Sequence, residues 1–189
     1  MSDKIHKFTI AALFLFLSLG TLYAVEDGFG QARKIEGEHF TAFLALPLDE
    51  ASLARKLNIS SAEGIIIGGA TAEGSHLGLA SMLDTLFLQV SDILDMHIYS
   101  YTGTIKVCRD YSQLKEIYSN LFNTTLNNRY SFYVAGLNTV YISPESFTKE
   151  ILGHEIAHAI ISRYFVVQPP VKIQEVLAGY VEYQLRRAQ

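Results

Sequence analysis

The chain has 189 residues, 49% of them apolar and 18% charged, which describes a folded protein long enough for one domain and marginal for two. A net charge of −4 and a pI near 5.8 leave no basic footprint, so no nucleic-acid partner is expected. The single cysteine, Cys108, excludes an internal disulfide, and its apolar setting in "TIKVC" predicts a buried, inert thiol.

In chain order, "MSDKIHKF" carries Lys4 and Lys7 and is followed by an uncharged apolar run from Thr9 to Ala24. A basic start, a run short of the roughly 20 residues a spanning helix needs, and a small residue at its end read as a secretory signal over residues 1–24. Leu22 is large for its place before a cleavage point, so an uncleaved membrane anchor is the alternative. The expected location is therefore exported, periplasmic or extracellular, with residues 25–189 as the folded domain.

"HFTAFLAL" (39–46) has the content of a strand, closed by Pro47. "LDEASLARKLN" (48–58) reads as a short amphipathic helix and 60–78 as a glycine-rich loop. No Gly-Lys-Ser/Thr follows those glycines, which argues against a phosphate loop. A long helix is predicted over 79–98, with Leu79, Met82, Leu83, Leu86, Val90, Ile93 and Leu94 on its core side. "TIKVC" (104–108) is a strand, 111–122 a helix, and 129–143 a hairpin turning near "AGLN". Ser143 as N-cap and Pro144 in the first turn predict a helix running to about Phe165, and a last helix fills 171–188. The pattern is that of an α+β domain with a small mixed sheet, a long backing helix and two closing helices.

The helix ending at 165 contains "HEIAH". His154 and His158 are one turn apart on one face, a spacing that lets two imidazoles close on a single Zn²⁺. Glu155 projects elsewhere and suits a general base acting on a metal-activated water. The surrounding "ILG…IA.AII" is apolar nearly all round, so a buried carboxylate there needs compensation. A third ligand has few sources. Downstream of His158 there is no Asp, His or Cys, only Glu175 and Glu182. About 10 Å of helical rise separates these two, so both cannot reach one metal. Glu175 is favoured because Ala178 and Gly179 beside it would let two helices approach closely, and Glu182 reads as a solvated acid or one supporting a ligand.

"HEIAH", 16 residues, then "EVLAGY" resembles the gluzincin zinc metallopeptidases, in particular small MA-like forms called minigluzincins. The resemblance implies a zincin-like fold, His154, His158 and Glu175 as zinc ligands, and Glu155 as base. "EHFTAFLA" (38–45) resembles the opening strand of such domains, and "TVYIS" (139–143) the strand along which an extended peptide or protein substrate would lie. Gly179 stands where many gluzincins place an acid that orients a ligand histidine. The oxyanion donor that larger members take from a further subdomain would here be Tyr180, Tyr183 or Tyr164, or be absent; Tyr180 is ranked first because the motif shares it.

The reading is an exported, zinc-dependent peptidase. Its alternatives are a zinc-binding but catalytically silent envelope protein with a structural or partner-binding role, and a membrane-tethered interaction protein in which the two histidines are core residues.

Overall fold

A computed structural model describes residues 27–59, 78–127 and 130–187. The proposed signal or anchor, and all but the last residue of the glycine-rich loop, lie outside the described residues. Among the described residues, no helix is long and apolar enough to cross a membrane.

The architecture is α+β. The elements are β1 (Ala32–Glu36), β2 (Phe40–Ala45), α1 (Glu50–Leu57), α2 (Leu79–Leu94), β3 (Gly103–Val107), α3 (Tyr111–Phe122), β4 (Ser131–Val134), β5 (Thr139–Ile142), α4 (Lys149–Tyr164) and α5 (Val171–Arg187). The strands form one mixed sheet in the order β1-β2-β3-β5-β4. β2, β3 and β5 run parallel, and β1 and β4 pair antiparallel at the two edges.

Alternation along the strands divides the core. Phe40, Ala42, Leu44, Ile105, Val107, Val140 and Ile142 face α1, α2, α4 and α5. Tyr141, Phe132 and Ala45 face the other way, onto Leu114 and Ile117 of α3 and onto Phe29. All four residues of β5 are buried, as expected of a strand covered on both faces. On the α3 side, Asp27 accepts hydrogen bonds from Lys106 Nζ and from the Tyr141 hydroxyl (2.6 Å), which fixes the start of the described chain to the sheet. Burial pushes the Asp27 carboxyl up, but the bonds from Lys106, Tyr141 and the Phe29 amide outweigh it and hold the group below its ordinary range.

Several expected boundaries are corrected. β1 precedes the strand read as the opening one. Its sequence, ARKIE, is a charged edge strand with little burial, the kind of edge that resists further pairing and carries no alternating apolar signal. β1 turns into β2 at Gly37, where a Cβ would come within 2.9 Å of both Asp84 carboxylate oxygens. Those oxygens accept the Glu38 and His39 amides, both at 2.8 Å. α2 stops at Leu94 rather than 98, because Asp95 adopts a left-handed conformation and Met96 N–H closes back on Ser91 O. Ser143 and Pro144 do not start α4. They open a separate 3₁₀ turn, Pro144–Ser146, with no side-chain cap, and Thr148 caps α4 by accepting the Ile151 amide.

Candidate metal centre

α4 and α5 pack against each other more extensively than any other helix pair among the described residues. The glycine that allows this is Gly153, not Gly179. A Cβ on Gly153 would fall within the van der Waals envelope of Leu185 Cδ1, with Val181 Cγ1 at 3.7 Å, whereas nothing lies within 4 Å of one on Gly179. Ala178, Val181 and Leu185 of α5 bury against α4. This packing brings Glu175, one turn above Ala178, over the cleft side of α4.

There the side chains converge. His154 Nε2 and His158 Nε2 are 3.2 Å apart. Glu175 Oε2 is 3.5 Å from His154 Nε2, and its Oε1 is 3.8 Å from His158 Nε2. One ligand atom from each residue lies within 4.8 Å of the others, the only such cluster of His, Cys, Asp or Glu among the described residues. Bonds of about 2.0–2.1 Å at tetrahedral angles separate two ligand atoms by about 3.3 Å. The three separations lie near that value, the two to Glu175 involving different carboxylate oxygens, so the donor set is compatible in composition and spacing with a metal ion such as Zn²⁺.

The other nitrogen of His154 faces away from the cluster. Nδ1 is buried with no hydrogen-bond partner within normal distance among the described residues. Glu182 Oε2 stands 3.6 Å from it, and Glu182 Oε1 accepts from Arg186 at 2.6 Å. The spacing of seven between Glu175 and Glu182 therefore places one carboxylate at each end of a single imidazole. A proton on Nδ1 facing Glu182 leaves the Nε2 lone pair aimed at the cluster. Gly179, which stands where many gluzincins have an acid, is exposed, and Glu182, three residues later, is the carboxylate nearest His154 Nδ1.

Glu155 is buried beside the cluster, 7% exposed. Its Oε1 accepts a 2.7 Å hydrogen bond from Ser131 Oγ at the start of β4. No signal in the sequence linked Ser131 to the helix. β4 also supplies a wall: Tyr130, Ser131, Phe132 and Tyr133 line a cleft of about 690 Å³ together with His154, His158, Glu175 and Glu182. Tyr133 donates to Asn138 Oδ1 at 2.9 Å and meets Ser162 Oγ at 3.1 Å, tying β4 to α4. Burial pushes the Tyr133 phenol up, so it remains a protonated donor in that link.

Two sequence expectations change. A peptide cannot add along 139–143, because β5 is paired on both sides, with β3 and with β4. Among the described residues β4 pairs only with β5, so its outer edge, beside the cluster, is open. Tyr180 is 47% exposed, and neither it, Tyr183 nor Tyr164 lines the cleft. The tyrosines that do are Tyr130 and Tyr133, both upstream of the histidines. The chain has no match among known protein-family models, curated proteins or solved structures.

Proposed function

We propose that the chain is a gluzincin-like zinc metallopeptidase in which His154, His158 and Glu175 hold the metal and Glu155 is the general base. The observation that carries this reading is the convergence of two imidazole nitrogens and one carboxylate, at 3.2, 3.5 and 3.8 Å, beside a buried glutamate in a cleft edged by an open strand. Zinc held there would supply a Lewis acid that polarises a carbonyl and acidifies water.

The chain's own residues do the rest. Glu182, 3.6 Å from His154 Nδ1, favours the tautomer that presents Nε2. Ser131 restrains one oxygen of Glu155, and the carboxylate takes a proton from the attacking water and passes it to the leaving amine. An extended peptide adds to the free edge of β4, and its main chain is fixed by strand hydrogen bonds rather than by one side chain. The N-terminal segment, as a signal or an anchor, supports action on proteins outside the cytoplasm.

The test is zinc content and cleavage of a mixed peptide library by purified chain, alongside Glu155→Gln. Zinc-dependent cleavage that Glu155→Gln abolishes while zinc is kept supports the peptidase. Zinc without any cleavage supports the silent envelope protein instead.

A further inference from the structure

α5 has a second apolar side. Its inner side buries Ala178, Val181 and Leu185, and its two acids, Glu175 and Glu182, turn toward the cleft. The outer side shows Ile173, Val176, Tyr180 and Tyr183 at spacings of three and four, all about half-exposed. Lys172 and Arg187 flank this stripe, and it contains no acid. Just before α5, Val166 and Val167 are 101% and 84% exposed. The loop holding them out is braced: Gln168 Nε2 donates to the Ser162 and Phe165 carbonyls at 2.9 and 2.7 Å, and Pro169 and Pro170 follow. Two exposed valines on a braced loop that leads into α5, and an apolar stripe on the outer side of that helix, leave apolar surface without cover among the described residues.

We propose that this face of α5 and the Val166–Val167 tip dock on an anionic lipid surface. The charges choose among three occupants. A second copy packed across a two-fold axis through the middle of the stripe would set Lys172 against Arg187 of the other chain, with no acid on either face to neutralise them. The chain's own apolar run, Thr9–Ala24, is uncharged and would leave both cations unmatched; of the two acids that follow it, Glu26 adjoins Asp27, which is fixed on the α3 side of the sheet. An anionic bilayer meets every feature: hydrocarbon for the valines, the interface for the tyrosines, and phosphates for Lys172 and Arg187. Gln168 and Val171 border the cleft, so docking sets the mouth of the site at headgroup level. The docking itself does not depend on the metal.

The test uses the full chain carrying Val167→Cys, labelled with an environment-sensitive nitrobenzoxadiazole probe. Cys108 stays unlabelled, being buried with its thiol pushed up to about 12 by burial and by the nearby Asp27 and Asp110 charges. A parallel chain carries the probe at Glu116→Cys, exposed on α3 on the opposite face of the sheet. The probe at 167 is expected to brighten and shift to the blue on vesicles of phosphatidylglycerol and phosphatidylcholine, and much less on phosphatidylcholine alone. The probe at 116 is expected to stay unchanged, although the N-terminal segment is present in both chains. Adding Lys172→Ala and Arg187→Ala weakens the vesicle titration about 25-fold, at about fivefold per cation. His154→Ala leaves the response intact, which separates this result from the fate of the zinc reading. A probe at 167 that responds no more than the one at 116 overturns the proposal. So does a blue-shifted probe in a dimeric chain before lipid is added.

Discussion

Replacing Gly153 by alanine tests how the two helices that build the site are held together. A methyl there meets Leu185 Cδ1 inside contact distance, with Leu185 Cγ and Val181 Cγ1 at 3.7 Å. Leu185 is itself buried, so its methyl cannot turn out into solvent. Overpacking of this kind costs about 1–3 kcal/mol, and alanine in place of glycine within a helix returns about 1 kcal/mol. The net loss for Gly153→Ala is then up to about 2 kcal/mol. The sign should reverse once the obstacle is gone. Leu185→Ala alone costs about 2–5 kcal/mol by leaving a cavity; in that background Gly153→Ala should gain about 1 kcal/mol, because its methyl enters vacated space and the helix propensity remains. Urea unfolding of the metal-free chain, followed by circular dichroism, gives the four stabilities of the cycle. Zinc affinity should follow the same order, since a displaced α5 carries Glu175 away from the histidines. A Gly153→Ala chain that is more stable than wild type, with no coupling to Leu185, would refute this account of the helix contact.

Glu182→Ala should weaken zinc binding by about 10–100-fold while leaving its one-to-one stoichiometry, as removal of a carboxylate behind a ligand histidine generally does; competition with a chelating dye measures it, and unchanged affinity would show that His154 needs no such partner. Tyr180→Phe should change kcat by less than about twofold, whereas loss of an oxyanion donor would cost about 10²-fold or more; steady-state peptide hydrolysis decides between them. Asp27 predicts an acid-side effect. Its carboxyl is held below its ordinary range in the folded chain, so it contributes stability above its unfolded pKa of about 3.9, and that contribution disappears as pH falls through the lower folded value. Asp27→Asn should therefore lower stability at neutral pH and flatten its decline over the acid range; parallel declines in the two chains would contradict the Lys106–Asp27–Tyr141 link.

Most of the fold was legible where periodicity and turn chemistry agreed. Helix α3 has the boundaries its pattern predicts, between the Asp110 cap and left-handed Asn123. The β4–β5 hairpin turns at the expected "AGLN", with Asn138 in the left-handed conformation that asparagine tolerates. β1 was hidden because Arg33, Lys34 and Glu36 give an edge strand no apolar alternation. The identity of the open strand was hidden for a different reason: β5 is covered by β3, a partner far away in sequence, and local pattern carries no record of strand order. At the site, the helical spacing of His154 and His158 and the scarcity of downstream acids pointed to Glu175. The place of Glu182 depends instead on how closely α4 and α5 approach, which Gly153 and Leu185 set. Ser131 reaches Glu155 only through the sheet, so neither contact had a local signature.

The central claim is that His154, His158 and Glu175 form one zinc site. Its most direct test is elemental analysis of the purified chain beside His154→Ala and Glu175→Ala, with folding of each checked by circular dichroism. The account predicts about one zinc per wild-type chain, little or none in the folded His154→Ala chain, and much weaker retention in Glu175→Ala. A wild-type chain that binds no zinc when supplied with it, and whose stability is indifferent to His154→Ala, would contradict the account.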